Sequence, residues 1–203
     1  MADTVSVDVR ESGVGLDGAA APSKPTRRPT KARSPLRSVA LPSEHGGWGL
    51  TLEPVLLGLL VAHSVAALCL GLATVLAFLA RTPLKLAAVD ARRGRTLDRT
   101  RLARKVAAVE IVALVALLAV AFATATPGFW WPILGIAPLM AVELSYDIRS
   151  RSRRLVPELA GAVGIAGMTS MMVLAGGRST SVALGLWAIL AARAIAAIPT
   201  IRD

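Results

Sequence analysis

The 203-residue chain has one cysteine, two histidines, one tyrosine and three phenylalanines. The lone cysteine, Cys69, lies inside an apolar run, which excludes an intramolecular disulfide and reads as a small hydrophobe. No glycine-rich phosphate loop, zinc-ligand spacing or Ser/His/Asp signature is present. The opening MADTVSVDVR has no basic start followed by an apolar core, so it does not read as a cleaved secretory signal, and insertion is expected to use internal helices. Acid is scarce, with 13 Asp and Glu against 23 Lys and Arg, a net charge of +10.

Apolar residues, by contrast, make up 54% of the chain, and the mean hydropathy of +0.60 excludes an ordinary soluble enzyme. The charge is confined to short stretches between almost charge-free segments, the pattern of a polytopic membrane protein. Residues 1–40, rich in Ala, Pro, Ser, Thr, Gly and Arg without hydrophobic period, read as a disordered tail. Its run KPTRRPTKARSPLR holds six basic residues and no acid. That suits either contact with an anionic membrane surface or a solvated linker; nucleic-acid binding is disfavoured because no aromatic platform accompanies the charge.

Trp48 to Ala80 is 33 residues, too long for one crossing of about 30 Å at about 1.5 Å per residue, so the run divides near Ala62 to Ser64. The expected fold is an all-α membrane bundle of six transmembrane helices, 47–62, 65–81, 106–125, 129–146, 157–176 and 181–198, forming one membrane domain over 41–203. Basic residues test this division, because Lys and Arg accumulate in short cytoplasmic loops. The tail has 7, the connector 81–105 has 9, the connector 148–154 has 4 and the carboxyl end has Arg202, leaving only Arg178 in the opposite turns and Arg193 within a helix. Both termini are therefore expected in the cytoplasm, with the protein in the inner cell membrane. Trp130 and Trp131 then mark the outer interface and Trp48 the inner one.

Each charged group in hydrocarbon costs several kcal/mol unless paired or hydrated. Glu53, Glu110, Glu143, Asp147, Glu158 and Arg193 all map to the cytoplasmic third, where they are able to line one polar chamber. Glu110 and Glu158 have a plainer explanation as complements to the positive amino ends of their helices. Glu53 lies deeper and precedes Pro54, whose ring frees the Leu50 carbonyl. Arg193 is expected to pair with one of the acids, and His63 reads as an interfacial histidine. Glu143 and Asp147, four apart on one helix face, suit Mg²⁺ by oxygen ligation, and the arginines that follow them suit phosphate. Topology alone also produces such an acid-to-basic transition. Gly161, Gly164 and Gly167 recur every three residues and read as a close-packing seam.

The string LPSEHGGWGLTLEP at 41–54, with Pro42, Ser43, Glu44, His45, Gly46, Trp48 and Pro54, resembles the opening of the YwiC-like family of bacterial integral membrane proteins. Arg81-Thr82-Pro83-Leu84-Lys85, Tyr146-Asp147 and Pro157-Glu158-Leu159-Ala160-Gly161-Ala162 extend the resemblance over about 41–202. It implies location and architecture rather than an activity. A remoter similarity is to UbiA-type intramembrane prenyltransferases. Their first Asp-rich motif is reduced here to Asp90 and Asp98, their second becomes Glu143-x-x-x-Asp147, and their nine or so helices compare with six.

The expectation drawn together is a cytoplasm-facing chamber for an anionic amphiphile, an isoprenoid diphosphate or another anionic lipid. In that scheme His45 and Glu53 orient the acceptor as the catalytic pair. Glu143 and Asp147 hold Mg²⁺, and Trp48, Lys85, Arg92, Arg153, Glu158 and Arg193 contact the substrate. The alternative is a non-catalytic lipid-binding or transport component. The lipid bilayer is the partner in both.

Overall fold

The structure, a computed structural model, describes residues 45–94, 97–149 and 155–200. The tail 1–40, the string Pro42-Ser43-Glu44 and Arg153 with its neighbours Arg151 and Arg154 lie outside the described residues, as does the side chain of His45. Six helices follow one another: α1 His45–Val61, α2 Val65–Arg92, α3 Asp98–Thr124, α4 Ile133–Ile148, α5 Leu155–Ala175 and α6 Thr180–Thr200. Among the described residues there is no strand. Four of the helices, α2, α3, α5 and α6, are long and apolar enough to cross a membrane. α1 and α4 are shorter, with 17 and 16 residues.

The break between α1 and α2 falls where the length arithmetic requires one. Ser64 adopts an extended backbone and its hydroxyl accepts from the Ala67 amide at 3.0 Å, a side-chain N-cap that starts α2. The connector 81–105 differs from expectation. α2 continues to Arg92 and α3 begins at Asp98, so most of this stretch is a helical hairpin rather than a loop. Its Leu, Ala, Arg and Lys residues are good helix formers, and Pro83 is accommodated inside α2 without ending it. At 28 residues α2 measures about 42 Å, so its last turns extend past a hydrocarbon core of about 30 Å.

α5 is the central helix, packing against α1, α2, α4 and α6, while α3 packs against α2. The registers follow from close approaches. Gly58 and Gly71 both face Met172, and the Thr169 hydroxyl donates to the Pro54 carbonyl at 2.9 Å, placing α1 parallel to α5. Gly161, Gly164 and Gly167 meet Glu143, Met140 and Ile136 in turn, so α4 runs antiparallel. The Ser170 hydroxyl donates to the Ala183 carbonyl at 2.8 Å, fixing α6 antiparallel as well. α1 therefore starts and α6 ends at the same end of the bundle, which also carries the α2–α3 hairpin and is called the basic end below.

The glycines are needed for this geometry because small residues let helix backbones approach. A Cβ at Gly167 would stand 2.6 Å from Ile136 and 2.9 Å from the Trp187 ring. The buried core around Leu70, Met172 and Val173 fills the space between α1, α2 and α5. At the far end, Thr126 bonds the α5 carbonyls of Leu174 and Ala175, and Arg178 donates through Nε to the Val61 carbonyl at 3.0 Å. Those bonds satisfy carbonyls that helix termini leave open.

Gly167→Val should lower the thermal midpoint of the detergent-solubilised protein, by the equivalent of about 1–3 kcal/mol of overpacking. Gly185→Ala, where nothing lies within 4 Å, should leave it unchanged.

Candidate functional site

The ionic residues of the basic end fall into distinct groups. The largest joins α2 to α4. Arg81 Nη1 meets Glu143 Oε1 at 2.8 Å, Arg81 Nε donates to Asp147 Oδ2 at 3.1 Å, and Lys85 Nζ donates to Asp147 Oδ1 at 2.5 Å. Arg81 and Lys85 stand one helical turn apart on α2, as Glu143 and Asp147 do on α4, so two turns of each helix face one another in charge register. The Glu143 carboxyl packs directly on Gly161, where a Cβ would come within 2.6 Å of it. The glycine seam thus seats the carboxylate as well as the helix.

A second group joins α1 to α6, where Arg193 and Glu53 form an ion pair. The acid expected to partner Arg193 is therefore Glu53. A third closes the hairpin tip. Asp90, almost wholly buried, accepts from the Thr100 hydroxyl at 2.6 Å and from Arg99 Nη2 at 3.4 Å. Asp90 lies in the part of α2 beyond the hydrocarbon length. The Thr100 hydrogen bond, with the charges of Arg99 and Arg93, holds its carboxyl below the usual carboxylate range although burial acts the other way.

Among the described residues, the expected site side chains include ion pairs on two helix pairs, α2 with α4 and α1 with α6. Trp48 packs edge-on against Phe78, ring centroids 5.3 Å apart, between α1 and α2. Arg92 is exposed at the end of α2, and Glu158 sits in the first turn of α5, where it complements the positive end. The same explanation fails for Glu110: α3 starts at Asp98, which is its first-turn acid, and leaves Glu110 three turns inside. One Glu110 oxygen is buried with no hydrogen-bond partner among the described residues. His45 opens α1, and Arg153 lies outside the described residues.

The two carboxylates expected to hold Mg²⁺, Glu143 and Asp147, are ion-paired with cations of α2. Asp147 accepts from both Arg81 and Lys85, and Glu143 pairs with Arg81. The arrangement is a charge-balanced node rather than an open oxygen cage. Arg81, the residue that links both carboxylates, has no separate role in the sequence reading. Its spacing of four from Lys85, mirrored by the acids' own spacing of four, is the signal that points to it.

An all-helical bundle with four helices of membrane-spanning length and ionic groups paired across helices defines an integral membrane protein. The chain belongs to the YwiC-like protein family, whose model matches residues 41–173, more than half of the sequence and every helix from α1 to the last turn of α5. Comparison with curated proteins and with solved structures gave no match.

A depressed native carboxyl stabilises the fold above its unfolded value, about 3.9 for Asp, and that contribution is lost as pH falls through the lower native value. Cleavage between α2 and α3 by an acid-active protease, relative to cleavage of an unfolded control at the same pH, should therefore rise as pH drops below about 4. Asp90→Asn should allow cleavage between α2 and α3 by a neutral protease at pH 7, where the unsubstituted chain resists it.

Proposed function

We propose that this protein is a lipid-handling component of the inner cell membrane whose basic end faces the cytoplasm and receives the anionic headgroup of an amphiphile at Lys85 and Arg81. The observation that carries the reading is an asymmetry of burial in the α2–α4 node. Side-chain exposure is 46% for Lys85 and 35% for Arg81, against 5% for Asp147 and 14% for Glu143. Buried carboxylates hold half-exposed cations in place from beneath. Lys85 uses one of its three ammonium donors on Asp147 among the described residues, so donors remain for an incoming oxyanion. The orientation rests on the concentration of Lys and Arg at this end.

Binding is favoured over prenyl transfer by the same node. Ionisation of an allylic diphosphate needs charge stabilisation at the leaving group by metal and cation together. The carboxylates that would hold the metal are engaged by Arg81 and Lys85. A guanidinium and an ammonium side by side suit a phosphate or diphosphate headgroup without metal.

Purified protein in phosphatidylcholine nanodiscs, given radiolabelled farnesyl diphosphate and Mg²⁺, is expected to bind the label without releasing pyrophosphate. Lys85→Gln should weaken that binding about tenfold, the loss of one charge-assisted hydrogen bond. Pyrophosphate release abolished by Glu143→Ala and Asp147→Ala would establish transfer instead. Absence of binding would remove the headgroup reading.

A further inference from the structure

α3 packs mainly against α2, and near its far end Ala121 enters the core and Phe122 packs edge-on against Phe129. Thr100, Ala103 and Ala107 are buried against α2, and only 11% of the helix's most apolar window is buried at all. An exposed side next to the α2 contact carries two features in sequence along a single face. Arg101, Arg104 and Lys105, at i, i+3 and i+4, form an exposed basic stripe where the helix leaves the hairpin. Ala108, Ile111, Val112, Val115, Ala119 and Phe122 continue the same face at steps of three and four, all exposed. Val112 is 69% exposed and Val115 58%.

No acid lies on that stripe between Arg101 and Phe122; the one carboxylate in this stretch, Glu110, sits on the flank that is partly buried. Arg104 to Phe122 spans about 27 Å, close to the thickness of the hydrocarbon core. The face is thus a cationic cap on an apolar track that runs the depth of the hydrocarbon core, its first half lying at the depth of the acyl chains of a lipid held at the cap. Topogenic charge requires only that cations be present in the connector. It does not require three of them to stand in line with the lipid-length apolar face of one helix.

We infer that the outward face of α3 is a docking surface for an anionic phospholipid, its phosphate on Arg101, Arg104 and Lys105 and its chains along Ile111, Val112 and Val115. Charge complementarity selects the headgroup, and each basic residue near the surface adds attraction for an anionic lipid. The surface is separate from Lys85 and Arg81, which point into the α2–α4 node, so it stands or falls independently of the proposed function.

The test uses the full chain carrying Cys69→Ala and Ala108→Cys, the new thiol labelled with a benzophenone maleimide. It is reconstituted in bilayers of equal phosphatidylglycerol and phosphatidylcholine. Photolysis and mass spectrometry should find phosphatidylglycerol adducts in excess by about fivefold or more, the factor that one basic contact supplies. Arg101→Gln/Arg104→Gln/Lys105→Gln should bring the ratio to unity, while Arg101→Lys/Arg104→Lys should keep it, which separates charge from folding. Soluble glycerol phosphate in excess should not compete. Equal adducts of the two lipids, a cross-linked pair of chains, or an excess that survives the triple Gln variant would each overturn the inference.

Discussion

Hydrocarbon does not accept an unpaired charge, and this single cost organises the basic end of the bundle. A charged side chain at the bilayer centre is unfavourable by about 2.5–3.5 kcal/mol on insertion scales, so a chain that keeps such groups must bring partners to them. Here the partners come from other helices: Arg81 and Lys85 on α2 for Glu143 and Asp147 on α4, and Arg193 on α6 for Glu53 on α1. Each pair joins helices far apart in sequence, so the ionic groups act as tertiary bonds as well as polar features. Buried pairs contribute less to net stability than to register, because desolvation offsets most of their attraction.

The pairing depends in turn on close helix approach. Gly161, Gly164 and Gly167 let α4 lie against α5, and the Glu143 carboxyl occupies the space that a side chain at Gly161 would take. α5 serves as the spine of the molecule because its small residues admit neighbours on several sides. Its C-terminal end is held by hydrogen bonds from Thr126 and by the backbone turn around Gly177, whose φ of +78° favours glycine. α3, which packs chiefly on α2 and buries only 11% of its most apolar window, is the element left to the surroundings.

Much of this was legible in the sequence. The six apolar runs, the break before Ser64 and the glycine seam follow from length, charge alternation and periodicity, which are properties of neighbouring residues. The hairpin was not, because a basic, proline-containing connector between spans has the composition of a loop, while its helicity is supported by Asp90 and Thr100 meeting across ten residues. Residue selection at the site was partial for the same reason. Glu143, Asp147 and Lys85 stand out by type, but which cation meets which acid depends on helix neighbourhood, and Arg81 gains its importance only from that. The N-terminal explanation of Glu110 fell with the helix start it assumed, since α3 begins at Asp98, about two turns before residue 106.

The most direct test of the account is charge exchange across the α2–α4 node, read as the thermal midpoint of the detergent-solubilised protein. Lys85→Asp and Asp147→Lys are each expected to lower it, since each leaves like charges facing in a partly buried site. The double variant Lys85→Asp/Asp147→Lys is expected to recover most of the loss, a coupling of about 0.5–3 kcal/mol. Additive losses in the double variant would contradict the pairing and, with it, the view that ionic contacts between helices hold the basic end together.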